Sequence, residues 1–301
     1  MIGPTASGKS DWAVRIAQKT DGEIISADAR QCYKGMEIGS AAPESEWLRL
    51  IPHFNVSCLE PSTPDDAAAF SRRAENWIHD IRQRGKIPVI AGGSTLYLQA
   101  LIHPFDDVPS SNPEHVKQLR KRADEEGLDA LYNDLLRVDP EYANKMDGMN
   151  RQRILRALDV WMQTGKPFSS FHQSITPSPH PGDLWLGLLW TRDELLERIE
   201  TRTRELFSDA FEEEVRRLWH WPNLVDSTVG FKQMAQALRG EISRVEAIER
   251  TIIATRQYAK RQMTWFRRWP FIQWFHPEKE QDKLVELAVN QVAANPKNPY
   301  I

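Results

Sequence analysis

Residues 3–10 read Gly-Pro-Thr-Ala-Ser-Gly-Lys-Ser and match the pattern G-x-x-x-x-G-K-[ST]. Glycines at the two ends let backbone N–H groups turn inward around phosphate oxygens. Lys9 adds a positive charge, and the Ser10 hydroxyl is suited to Mg²⁺. The helix expected over 11–19 brings its N-terminal dipole to the same place. A loop of this kind sits between a strand and a helix, so it argues for a parallel α/β sheet. Only Met1 and Ile2 precede Gly3. A strand usually has about five residues, which points to a truncated or misassigned start.

The remaining pattern agrees with such a sheet. Ile24 and Ile25 lie in a short apolar run, and Pro88-Val89-Ile90-Ala91 form another that ends at Gly92-Gly93. Helical periodicity over 67–84 lies between them, and alternation of strands with helices implies parallel pairing. Residues 104–113 are a proline-rich break. Helices are expected over 114–130 and over 150–164, the second stopped by Gly165 and Pro167. Three prolines in 174–182 mark a loop, 184–190 is strand-like, 194–263 is mostly helical, and the tail after 278 is polar. The expected fold class is α/β: a P-loop-type parallel sheet core with flanking helices and an inserted helical domain. The core is assigned to 1–111 and 181–301, the insertion to 112–180.

Composition excludes several classes. With 301 residues, 41% hydrophobic and 27% charged, the chain can bury a core and is not globally disordered. No run approaches the roughly 20 apolar residues of a membrane span, and no charged-then-apolar leader opens the chain. Two cysteines, Cys32 and Cys58, exclude a disulfide framework and a multi-cysteine zinc site, and point to a reducing, cytoplasmic compartment. None of the eight histidines pair at metal-ligand spacing. Net charge is −3, yet Arg256, Lys260, Arg261, Arg267 and Arg268 occur within 13 residues free of acids, so the remainder carries −8. Trp265 and Trp269 lie among these cations. The segment reads either as a phosphate-tracking face with stacking aromatics or as a solvated face over core tryptophans.

A phosphate loop does not say whose phosphate it holds. Nucleotide hydrolases commonly place an Asp after a second strand to help hold Mg²⁺. Here the strand over 87–91 runs into Gly92-Gly93-Ser94-Thr95, without an acid. Asp28 instead stands at the end of the run 24–27, on the ligand-binding side of an open α/β sheet. Its carboxylate can serve a metal, accept a proton, or cap the next turn.

Eight segments together carry a resemblance: GPTASGKS, SADARQCYKGMEIGSAAP at 26–43, IPHF at 51–54, GKIPVIAGGSTLYLQAL at 85–101, NRQRILRALDVWMQTGKP at 150–167, RDELLERIETR at 192–202, VGFKQM at 229–234 and TRQYAKRQMTWFR at 255–267. In this order they resemble the tRNA dimethylallyltransferases (tRNA isopentenyltransferases) over nearly the whole chain. The resemblance implies transfer of a dimethylallyl group from dimethylallyl diphosphate to the exocyclic amine of the adenosine 3′ to the anticodon. The loop would then hold the donor diphosphate, consistent with the missing acid after 87–91.

By match, Gly3, Pro4, Thr5, Ala6, Ser7, Gly8, Lys9 and Ser10 bind the diphosphate, supported by Arg202, with Ser10 toward Mg²⁺. Asp28 matches the general base, and Thr5 and Arg202 complete the catalytic set. The expected tRNA contacts are Asp28, Ala29, Arg30, Gln31, Ser94, Gln152, Arg153, Ile154, Leu155, Arg156, Gly230, Phe231, Lys232, Lys260 and Arg261. Expected partners are the tRNA anticodon stem-loop and dimethylallyl diphosphate, with no membrane, on a monomer. The chain departs from the usual pattern at Ala29 (Ser), Ser40 (Thr), Ala42 (Lys), Ser94 (Thr), Phe231 (Tyr) and Lys232 (Arg). A small-molecule P-loop kinase, and an RNA-binding relative of reduced activity, are the alternatives.

Overall fold

The computed structural model describes residues 1–103, 108–171 and 178–294. The chain divides into two compact units, residues 1–104 with 177–301, and residues 105–176.

The first unit opens with α1 (Lys9–Thr20), which buries Trp12, Ala13, Val14, Ile16 and Ala17 on one face. It returns into β1 (Gly22–Ala27), followed by α2 (Ser45–Leu50), β2 (His53–Phe54), α3 (Ala67–Gln83), β3 (Ile87–Gly92) and α4 (Thr95–Ile102). β1 pairs in parallel with β2 and β3, with Ile24 opposite Val89 and Ile25 opposite Ile90. The two residues before the phosphate loop do the work of a strand. Ile2 bridges Gly92 on one side and Gly187 on the other. Gly92 N donates to Met1 O at 3.1 Å, Ile2 N to Leu186 O at 2.8 Å, and Leu188 N to Ile2 O at 3.0 Å.

In the second unit, α5 (Pro113–Glu125), α6 (Leu128–Val138), α7 (Pro140–Lys145) and α8 (Arg151–Thr164) pack around Leu119, Leu131, Leu135, Ile154 and Leu158. Asn112, Asp139 and Asn150 cap α5, α7 and α8 with their side-chain oxygens. The single helix expected over 114–130 splits at Gly127 into α5 and α6. The proline-rich break over 104–113 and the loop over 174–182 fall partly outside the described residues.

The first unit resumes with β4 (Leu186–Leu188), α9 (Arg192–Leu206), α10 (Asp209–Arg217), α11 (Pro222–Asp226), α12 (Phe231–Leu238), α13 (Arg244–Phe266), β5 (Gln273–Phe275) and α14 (Gln281–Ala294). β5 pairs in parallel with β4. A reciprocal capping box between Thr191 and Glu194 starts α9. The tail read as merely polar contains α14, whose Leu284 and Ala288 join the core formed by α1 and the sheet. Two small apolar faces on a charged segment are easily missed, because burial is decided by the partner surface.

Replacing the fully buried Leu284 by Ala should therefore destabilise the chain by about 2–5 kcal/mol. Urea unfolding that gives an unchanged midpoint would show that α14 is not part of the core.

Candidate active site

The phosphate loop emerges from Ile2 and closes on the start of α1. Ala6 at φ 63° and Gly8 at φ 80° both take left-handed conformations, and Gly8 does so at the helix N-cap. Glycine bears that conformation without steric cost, whereas Ala6 stores strain in the loop. Three side chains from distant elements hold the loop. Thr5 N donates to Gln262 Oε1 at 2.8 Å. Arg198 Nε donates to Ala6 O at 2.9 Å, and Trp190 Nε1 donates to Ser7 O at 2.9 Å. The Arg198 guanidinium also lies 4.4 Å from the centre of the Trp190 ring.

Beside the loop is a pocket of about 670 Å³ whose walls include Thr5, Lys9, Ser10, Asp28, Arg198 and Arg202. Loss of hydration lowers Lys9 to about 8, while Asp28 raises it and Arg202 lowers it further. Desolvation also depresses Arg202, with Asp28 opposing and Arg198 adding to the effect. Asp28 is oriented by its own turn: Oδ1 accepts Arg30 N at 2.8 Å and Gln31 N at 3.3 Å. The capping role and the pocket-lining role therefore coexist in one carboxylate. Tyr258 of α13 lines the same pocket, and desolvation with the nearby Asp28 raises its phenol to about 12.

Of the residues expected from sequence, Thr5, Ala6, Gly8, Lys9, Ser10, Asp28, Gln31 and Arg202 thus share one pocket. Arg198, Trp190, Tyr258 and Gln262 were not anticipated. All four fall in or beside quoted motifs, but only the fold brings those motifs to the loop.

Three expected tRNA contacts, Ile154, Leu155 and Phe231, are corrected by burial of their side chains. Ile154 and Leu155 are core residues of the helical unit, and Phe231 is fully buried edge-on against Phe211 at 5.1 Å. Such side chains cannot reach a bound RNA. Gln31 is buried and joins Ser26 Oγ at 2.7 Å to Ala41 O at 2.9 Å. Arg156 is engaged by the fully buried Asp159 at 2.9 Å and by Pro109 O at 2.5 Å. Ala29 is half-buried against the core, Gly230 is buried, and Ser94 is the half-buried N-cap of α4. Gln152, Arg153, Lys232, Lys260 and Arg261 are exposed, and Arg30 reaches Ser227 Oγ at 3.2 Å. The basic run is also altered. Arg256 pairs with Glu200 at 3.2 Å, and Trp269 is buried against Trp185 and Phe271, with Trp265 packed on the same cluster. Trp269 belongs to the core, whereas Trp265 is half-buried with the Arg268 guanidinium 5.5 Å from its ring centre.

The family described as IPP transferase matches residues 31–269, well over half of the chain. The chain belongs to that family. A second family description, isopentenyl transferase, matches residues 1–53. The tRNA dimethylallyltransferase of Geobacter sulfurreducens is 38% identical over 292 residues, covering 95% of this chain and 94% of its own length. That of Thermoanaerobacter sp. is 40% identical over 284 residues, covering 91% and 90%. A solved tRNA delta(2)-isopentenylpyrophosphate transferase from Staphylococcus epidermidis superposes with a TM-score of 0.68 at 32% identity, over 98% of this chain and 97% of that one. A eukaryotic dimethylallyltransferase acting on tRNA gives a TM-score of 0.78 at 26% identity, over 98% of this chain and 77% of that one. The α/β architecture of the chain is thus shared with these structures along nearly its full length.

Lys9→Ala should weaken binding of inorganic diphosphate by about 10- to 100-fold, the size of a lost charged hydrogen bond. Titration calorimetry with diphosphate and Mg²⁺ measures it, and an unchanged affinity would remove Lys9 from the anion site.

Proposed function

We propose that the chain transfers a dimethylallyl group from dimethylallyl diphosphate to the exocyclic amine of the adenosine 3′ to the anticodon in tRNA, giving N6-dimethylallyladenosine. The observation that carries this reading is the pairing of Asp28 with a phosphate loop in one pocket, while β3 ends in Gly92-Gly93 without a metal-holding acid. That combination suits a diphosphate leaving group beside a proton acceptor better than ATP hydrolysis.

The chemistry follows from the residues. An adenine amine is a weak nucleophile because its lone pair is delocalised into the ring. It gains nucleophilicity by losing a proton as the C–N bond forms, and Asp28, oriented through Oδ1, accepts that proton through its second oxygen. The allylic carbon shares positive charge over three carbons while its C–O bond to diphosphate breaks. Lys9, Arg202 and the loop amides match the charge that develops on the departing diphosphate. Positioning of the two substrates contributes on the order of 5–10 kcal/mol. The adenine leaves its stack to enter the pocket, at a cost of roughly a few kcal/mol.

Among the described residues, no three His, Cys, Asp or Glu side chains converge on a metal site. The exposed Ser10 hydroxyl on the pocket wall is a hard oxygen donor and fits Mg²⁺ held mostly by the diphosphate and water. Bound there, Mg²⁺ would neutralise diphosphate charge. Cys32 and Cys58 are both free thiols, which suits a reducing, cytoplasmic setting. No helix among the described residues is long and apolar enough to cross a membrane. The exposed Gln152, Arg153, Lys260 and Arg261 are the polar side chains best suited to tRNA.

Incubation with labelled dimethylallyl diphosphate, Mg²⁺ and unmodified tRNA should transfer label to the tRNA, whereas ATP should be hydrolysed only at background rate. Robust ATP hydrolysis without transfer would favour the kinase reading. Asp28→Ala should lower the transfer rate by at least about 100-fold while both substrates still bind. A variant within tenfold of wild type would sink the general-base role. Replacing Lys260 and Arg261 together by Ala should weaken tRNA binding and reduce the log–log salt slope by about 0.7–0.9 per lost contact. Equal affinity and slope would make this part of α13 only a solvated face.

A further inference from the structure

Gln262 is a buried polar side chain that the proposed reaction leaves unused. It lies in α13 at 3% exposure, with one end of its amide engaged at the phosphate loop and the other just beyond β3. Oε1 accepts the Thr5 N–H at 2.8 Å, and Nε2 donates to Gly93 O at 2.7 Å. The contact crosses 257 residues of sequence to Thr5 and 169 to Gly93. The space for it exists because residue 93 lacks a side chain. A Cβ there would stand 2.5 Å from Gln262 Nε2 and 3.2 Å from Gly3 O.

We propose that Gln262 is a positioning residue for group transfer. It draws the Thr5 amide out of the phosphate cradle, ties Thr5 to the end of β3, and thereby sets where the Thr5 hydroxyl meets the donor diphosphate. This rests on the reading of the pocket as the donor site. A primary amide is suited to the task because it offers one acceptor and one donor to two backbone groups of opposite polarity. A carboxylate would satisfy Thr5 but face Gly93 O with a like partial charge, and an apolar side chain would satisfy neither. Arg198 and Trp190 hold the next two loop residues by their carbonyl oxygens, so Gln262 is the clamp on the N–H side. Lys260 and Arg261 immediately precede it on the same helix. RNA held at those cations and diphosphate held beside Thr5 are then referenced to one rigid element.

The test compares Gln262→Met, which keeps length without polar ends, with Gln262→Glu, which keeps the acceptor alone. Kinetics with varied donor and varied tRNA are read together with hydrogen exchange at the Thr5 amide. Gln262→Met should lower kcat by about 10- to 100-fold, the scale of a small misplacement of a reacting group. The KM for tRNA should stay within about twofold, and Thr5 exchange should accelerate while α13 stays protected. Gln262→Glu should fall between Met and wild type. A kcat within about threefold of wild type, unchanged Thr5 exchange, or loosening of all of α13 together with the loop would overturn the proposal. Should Gln262→Met fail to fold, Gln262→Glu is read alone: a kcat lowered about 3- to 30-fold at unchanged tRNA KM supports the clamp, and wild-type kcat refutes it. The exchange measurement needs no substrate. It tests the clamp even if the wild-type chain transfers nothing, a result that would sink the transferase reading by itself.

Discussion

The hydrogen bonds made by Met1 and Ile2 join two sheets that would otherwise share no strand. On one side stand β2, β1 and β3; on the other, β4 and β5. Ile2, 1% exposed, bridges both, so the order runs continuously from β2 to β5 with every pairing parallel. All strand ends that carry chemistry then point the same way. The phosphate loop leaves Ile2 at the middle of that edge, with Asp28 just beyond β1 and Gly93 just beyond β3. A ligand crevice at the carboxyl ends of parallel strands is the expected consequence.

That edge concentrates charge of both signs, since Asp11, Glu194, Glu197 and Glu205 line the pocket together with Asp28 and the cations. Lys9, Arg198 and Arg202 meet Asp28 in one pocket, where desolvation and the neighbouring cations lower Lys9 and Arg202 while Asp28 opposes the shift. The loop itself cannot relax, because Gln262, Arg198 and Trp190 hold three successive residues from outside. Binding energy is then directed to the ligand without being lost in reordering the loop.

The helical unit illustrates how a motif can be structural in one half and free in the other. Asp159 of α8 is fully buried and accepts from Ser111 Oγ at 3.1 Å, Arg156 Nη1 at 2.9 Å and Gln163 Nε2 at 2.9 Å. A buried carboxylate without these partners would be strongly destabilising, by about 3–5 kcal/mol. Arg156 is therefore the counter-charge that lets α8 pack, while Gln152 and Arg153, one turn earlier, remain exposed.

The amino-acid sequence by itself determined the phosphate loop, the strand–helix alternation and the family. Each is written in local spacing: glycines where φ must be positive, apolar runs of strand length, and motifs in a set order. It also singled out Lys9, Asp28 and Arg202, which line one pocket, since motif matching needs no knowledge of neighbours. What only the tertiary structure decided was which residues of those motifs line the pocket or stay exposed and which face the core. Ile154, Leu155 and Phe231 sit in matched segments yet are buried, and Trp269 lies among cations yet packs on Trp185. The clamp from Gln262 to Thr5 was equally illegible, because its two ends are 257 residues apart and a lone glutamine carries no periodic signal. Burial and long-range hydrogen bonds depend on the surface that another element brings, and that surface exists only once the chain has folded.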